Sequence, residues 1–178
     1  MADCNFALLC ADKRDEDALC RLSQDLTAIA PSKYILGKNS LPHVSVLQFQ
    51  TEKDAASLWQ TAQRLQARPV HVRAARYYWH PPAAENGYVY TGIETDRPES
   101  LLELHRDLLS LFPSLTPHNR AGKDYFPHFT LGYSRLSAQT PLPAAMDGRK
   151  DVWGKDIPLK LALGASGPEW QFERVLFE

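Results

Sequence analysis

The chain lacks the basic excess that binding a long duplex requires: 20 Lys and Arg stand against 21 Asp and Glu, a net charge of -1. Without a global positive field, long duplex nucleic acid is excluded as a partner, while a local basic pocket is not. Cysteine is scarce. Cys4, Cys10 and Cys20 are odd in number and crowded at the start of the chain, which argues against a disulfide framework and for a reducing cytoplasm. Cys10 and Cys20 lie on apolar-patterned segments and read as small buried side chains, with nothing nearby to activate a thiolate. No run approaches the roughly 20 apolar residues of a membrane span. Met1 to Asn5 has neither the basic start nor the apolar core of a secretory signal, so a cytoplasmic protein without membrane contact is expected. No Gly-rich loop follows a strand, which leaves dinucleotide and P-loop nucleotide folds unsupported. His-Glu-x-x-His, paired Cys-x-x-Cys and Gly-x-Ser-x-Gly are all missing. Neither a zinc centre nor a serine hydrolase is indicated, and no cofactor is expected.

What is present suits one ordinary globular domain over residues 1–178, with 44% apolar and 23% charged residues. Phe6 to Ala11 is a short apolar run and reads as a buried strand. Ala18, Leu19, Leu22, Leu26 and Ile29 repeat at helical spacing within Asp15–Ala30, and Pro31 ends that helix. A second helix carries Ala55, Leu58, Trp59, Ala62 and Leu65, opened by Thr51-Glu52-Lys53-Asp54 in the manner of a capping box. Val70–Trp79 and Tyr88–Glu94 have strand composition and flank a Pro-Pro and Asn-Gly turn, which predicts a hairpin. Pro98 opens a third helix through Leu101, Leu104, Leu108, Leu111 and Phe112. Residues 113–124 form a polar loop, residues 135–156 read as irregular, and Ile157–Leu163 and Trp170–Phe177 close the chain as strands.

Two segments nearly repeat. Pro42-His43-Val44-Ser45-Val46-Leu47 and Pro127-His128-Phe129-Thr130-Leu131-Gly132 each read Pro-His-apolar-hydroxyl-apolar. On a strand, His and the hydroxyl residue share one face and the apolar residues the other. The two histidines stand about half a chain length apart, each within strand-helix-strand order. The expected fold is therefore α+β, bilobal, with pseudo-two-fold duplicated antiparallel sheets, flanking helices and a central cleft.

Two imidazoles across a cleft supply a base and an acid together. Displacement at a phosphodiester needs both, because water loses a proton as it attacks and the leaving sugar oxygen gains one. Ser45 and Thr130 can donate hydrogen bonds to the non-bridging oxygens. Neutral alcohols are poor metal ligands, so the pattern does not suit a metal site. The other histidines carry no such pattern. His71 and His105 read as structural or surface residues, His80 as a turn residue and His118 as a loop residue. Tyr125 either enters the core or reaches the cleft, to stack on a base or bond a phosphate oxygen. Arg120 and Lys123 offer positive charge at the same mouth. One of Tyr77, Tyr78 and Trp79 lines the cleft, but alternation does not say which.

The doubled motif resembles that of the 2H phosphoesterase superfamily, named for two His-x-(Ser/Thr)-x motifs, which includes 2'-5' RNA ligase-like proteins and cyclic phosphodiesterases. Chain length, motif spacing and element order match across effectively the whole chain. The resemblance implies a bilobal α+β domain with His43 and His128 as the catalytic pair and Ser45 and Thr130 as phosphate-binding hydroxyls. Tyr125 matches an aromatic found before the second motif in some cyclic phosphodiesterases. Ser45 departs mildly from the Thr of many members. Without a further domain, an ATP signature or a basic tail, the ligase role is poorly supported. The expected activity is metal-independent hydrolysis of a 2',3'-cyclic phosphate or a short 2'-5' or 3'-5' oligonucleotide, with a nucleotide or short RNA as partner. The alternatives are a non-catalytic RNA or nucleotide-binding module and a 2'-5' ligase running the reverse reaction. Nothing in the sequence speaks to oligomeric state.

Overall fold

The computed structural model describes residues 1–80, 87–135 and 152–178. Their strands are β1 (Ala2–Cys10), β2 (Ser32–Ile35), β3 (His43–Thr51), β4 (Val70–Val72), β5 (Ala74–His80), β6 (Tyr88–Thr95), β7 (His128–Arg135), β8 (Ile157–Ser166) and β9 (Phe172–Phe177). The helices are α1 (Lys13–Ile29), α2 (Ala55–Ala62) and α3 (Glu99–Leu111), with 3-10 turns at Gln63–Leu65 and Gly122–Asp124. The strands form a large antiparallel sheet in the order β4-β8-β1-β3-β7-β6-β5, with β9 on β8 and β2 on β7. The α+β antiparallel architecture read from the sequence is thus present.

The two motif strands stand at the centre of this sheet, and its two sides do not follow the two halves of the sequence. One half of the sheet holds β4, β8, β1, β3 and β9, and the other holds β7, β6, β5 and β2. The early strand β2 therefore sits with the second motif, and the last two strands sit with the first. The helices exchange as well: α1 packs beneath β7, and α3 beneath β3. The run expected as one strand, Val70–Trp79, breaks at Arg73, which separates the two end strands of the order. Asp96 bridges this break, accepting from the Arg73 N–H and donating to its carbonyl. Thr51-Glu52-Lys53-Asp54 is not a capping box. Asp54 itself caps α2, accepting from the Ser57 N–H at 3.0 Å. β5 and β6 pair as the predicted hairpin; the turn expected at 81–86, and residues 136–151 of the stretch 135–156 expected to be irregular, lie outside the described residues.

The core explains which face is left for chemistry. β1 lies between β3 and β8, so its run of apolar residues is buried on both sides. Phe6, Leu8, Val44, Val46, Leu47 and Phe49 share one buried cluster with Leu101, Leu104 and Leu108 of α3, with the Phe6 and Phe112 rings stacked at 5.2 Å. Leu19, Leu22 and Leu26 bury the apolar stripe of α1. The helices occupy this face, and the histidines project from the other.

Candidate active site

β3 and β7 meet at Val44 and Phe129, the residue after each motif histidine. Continuing that antiparallel register by one residue sets His43 across from Thr130 and Ser45 across from His128. The four motif side chains thus form one patch around the pseudo-two-fold axis. Beyond the crossing the strands part. The freed edge of β3 takes the Pro113–Asp124 loop, where His118 donates its N–H to the Gln48 carbonyl at 2.7 Å. The freed edge of β7 takes β2, with Tyr34 opposite Tyr133.

Each motif ends in a β-bulge at the same place. Ser45 pairs with Ala7 and Leu47 with Phe6, which leaves Val46 unopposed. Thr130 pairs with Gly92 and Gly132 with Thr91, which leaves Leu131 unopposed. A bulge reverses the alternation beyond it. Gln48 therefore returns to the His43 face although the two differ by an odd number of residues. A helix anchors each bulge from the opposite half. His105 of α3 donates through Nδ1 to the Val46 carbonyl (2.9 Å) and accepts at Nε2 from the Gly122 N–H (3.0 Å). Ser23 of α1 donates to the Leu131 carbonyl and accepts from the Leu36 N–H. His105 is thus a fully used core histidine.

The imidazoles are oriented identically. His43 Nδ1 lies 2.8 Å from the Leu41 carbonyl, and His128 Nδ1 lies 2.7 Å from the Phe126 carbonyl. A carbonyl only accepts, so Nδ1 carries the proton in both rings, and the neutral lone pair is on Nε2. The hydroxyls are held from behind. Asn5 Nδ2 stands 2.8 Å from Ser45 Oγ, and the Tyr78 hydroxyl 3.1 Å from Thr130 Oγ1. Tyr78 also meets the His128 ring edge-on at 4.8 Å. Tyr78 lines the cavity and Tyr77 does not.

His43 is only 7% exposed. Burial disfavours its imidazolium and outweighs the Leu41 carbonyl, holding its pKa down at about 4. The ordinary value of 6.5 applies in the unfolded chain. Between these values the unfolded chain binds more protons than the folded one. Stability present above pH 6.5 is therefore lost as pH falls towards 4, by at most about 3 kcal/mol from this group. His105, also lowered by burial, adds in the same direction. Urea melts across this window are expected to show the loss, and His43→Leu to flatten it. An unchanged slope in the variant would refute the attribution.

A cavity of about 340 Å³ opens over the patch, lined by His43, Ser45, His128, Thr130 and Tyr78 among others. Its walls include residues the sequence did not point to. Tyr34 and Tyr90 flank the His128 side, and Gln48 and Asn119 join from β3 and the loop, beside the Arg120 that the sequence did place at the mouth. Glu169, Trp170 and Gln171 come from the β8–β9 turn. Trp170 adopts φ 60°, the left-handed region that a bulky side chain rarely enters. Gln48 Nε2 holds its carbonyl at 2.8 Å, and its ring lies 4.4 Å from that of His118. Tyr125 does not line this cavity. It is 2% exposed, stacks on His105 at 4.0 Å and donates its hydroxyl to the Ser45 carbonyl at 3.0 Å. It supports the motif strand from beneath. Lys123 is likewise outside the cavity lining. Among the described residues, no group of three or more His, Cys, Asp and Glu side chains could hold a metal ion, and no helix is long and apolar enough to cross a membrane.

Compared by sequence, the chain matches no family model and no curated protein. Compared by structure, it superposes on E. coli LigT, solved with phosphate, with a TM-score of 0.59, 13% identity, and coverage of 99% of this chain and 94% of that one. The chain has the fold of E. coli LigT. A structure described as a phosphoesterase matches with a TM-score of 0.52 and 14% identity over 99% and 93% of the two chains. Kluyveromyces marxianus Usb1, solved with uridine monophosphate, matches with a TM-score of 0.50 and 12% identity over 91% and 93%. In this chain the fold sets both motifs side by side on one sheet face and shapes the cavity above them.

Proposed function

We propose that the protein is a metal-independent phosphodiesterase that opens a 2',3'-cyclic phosphate or cleaves a short 2'-5' or 3'-5' oligonucleotide. The observation that carries this reading is the pseudo-symmetric quartet of His43, Ser45, His128 and Thr130, with both Nδ1 atoms committed to backbone carbonyls. His43, kept neutral by burial, takes the proton of the attacking water at Nε2. A new P–O bond forms from that water as the bond to the leaving sugar oxygen breaks, and His128 imidazolium protonates the leaving oxygen. Solvent exchange restores both rings. Ser45 and Thr130 hold the non-bridging oxygens, where charge grows in the transition state. The rings of His118, Trp170, Tyr34 and Tyr90 offer faces for a nucleobase. The phosphate bound to LigT and the uridine monophosphate bound to Usb1 fit this reading. Three unpaired cysteines suit a reducing cytoplasm.

The test is a product-resolved screen with EDTA present, over 2',3'-cyclic mononucleotides, ADP-ribose cyclic phosphate and 2'-5' oligoadenylates. Turnover of at least one is expected. Binding without product would indicate a nucleotide-binding module, and a 2'-5' linkage formed from 2',3'-cyclic ends would indicate a ligase.

A further inference from the structure

The two motif hydroxyls share one feature that the motif does not encode: each has a polar partner behind it, supplied by a different strand. Asn5 of β1 is wholly buried, yet its Nδ2 meets Ser45 Oγ at 2.8 Å. Tyr78 of β5 is 9% exposed, and its hydroxyl meets Thr130 Oγ1 at 3.1 Å. The sheet is arranged to permit the second contact. Tyr78, Gly92 and Thr130 lie in one cross-strand row. A Cβ on Gly92 would stand 2.7 Å from the Tyr78 hydroxyl, so the missing side chain is what lets the phenol reach across β6. In the first half the corresponding position, opposite Ser45, holds Ala7.

A hydroxyl group has one proton to give and two lone pairs. An amide nitrogen only donates. With Asn5 Nδ2 donating to it, Ser45 cannot return its proton and must direct it elsewhere, and the open side is the cavity. Burial also pushes the Tyr78 phenol pKa up, so the phenol keeps its proton at neutral pH. The Tyr78–Thr130 contact accommodates either direction; with the phenol as its donor, Thr130 like Ser45 turns its proton to the cavity, and two such donors match the two non-bridging oxygens of a phosphodiester.

We propose that Asn5 and Tyr78 are positioning residues that fix the proton direction of Ser45 and Thr130, presenting both hydroxyls to the phosphate as donors. The proposal rests on the cavity being a phosphate site. Two double-mutant cycles test it, with inorganic phosphate as the probe and its Kd read by calorimetry on the full chain. Asn5→Leu and Tyr78→Phe are each expected to weaken phosphate binding about ten-fold, the scale of one hydrogen bond. Neither should weaken it further in a Ser45→Ala or Thr130→Ala background respectively, because the residue acts only through that hydroxyl. Equal losses in both backgrounds would overturn the proposal while leaving the phosphate site standing. A native chain that neither binds phosphate nor turns over a phosphodiester would overturn the site and the proposal together. Tyr78→Phe keeps its ring packed against Phe126 and His128, so that cycle decides where Asn5→Leu fails to fold. Asn5→Asp, of the same shape but accepting only, should lose more affinity than Asn5→Leu; a smaller loss would contradict the stated direction.

Discussion

His43→Ala and His128→Ala are each expected to lower kcat/KM on a 2',3'-cyclic nucleotide by roughly 10²–10⁴-fold, the range of one positioned proton transfer. The double variant falls little below the worse single one, because an acid and a base that act in one step are lost as a unit. The structure supplies the reason for a large effect. Each ring is held by a carbonyl from the residue two positions earlier, so no search over rotamers or tautomers precedes reaction. The two rings also lie on neighbouring strands that cross at Val44 and Phe129. Steady-state kinetics check this, with thermal melts to confirm that the variants remain folded. Full activity in either single variant would remove the histidines from the mechanism.

Gly92→Ala is expected to reduce both stability and turnover, although it adds one methyl group. The new Cβ would lie 2.1 Å from the Phe129 carbonyl oxygen and 2.6 Å from the Tyr78 ring. A backbone carbonyl within a paired strand cannot retreat cheaply, so an overpacking loss of about 3 kcal/mol is expected. Displacing Tyr78 also removes its bond to Thr130 and its edge contact with His128, which should cost turnover about ten-fold or more. The comparison with the first half is instructive. Ala7 is completely buried opposite Ser45, in a cluster that also holds Phe172. Denaturant melts and kcat/KM together check the prediction; a fully stable, fully active Gly92→Ala chain would contradict the packing described around Thr130.

The two motif strands were more legible in the sequence than the layout of the sheet. Proline before each histidine and a hydroxyl two residues after it mark two strands with the same exposed face, and β3 and β7 run from those histidines. The three helices are equally plain from their leucine spacing. The bulges were harder to see. Val46 and Leu47 are adjacent apolar residues in a strand that otherwise alternates, and that irregularity is the one signal that Gln48 turns back to the cavity. Exchange of strands between halves left no local signal at all. Whether Val70–Trp79 is one strand or two depends on pairing with β8 at one end and β6 at the other, which is a tertiary fact. Trp170 and Glu169 reach the cavity through a turn that Gln48 from β3 holds at the Trp170 carbonyl. Tyr125 was open between core and cleft, and the structure places it in the core. Its place before the motif suggested a ligand contact, while its hydroxyl and ring are consumed by the Ser45 carbonyl and His105.

The most direct test of two-histidine, metal-independent hydrolysis is kcat/KM on 2',3'-cyclic AMP as a function of pH, with EDTA present throughout. A bell-shaped profile is predicted. Its acid limb should lie below the ordinary histidine value, displaced towards pH 4 by the burial of His43. Activity abolished by EDTA, or a profile with no limbs across the histidine range, would contradict it.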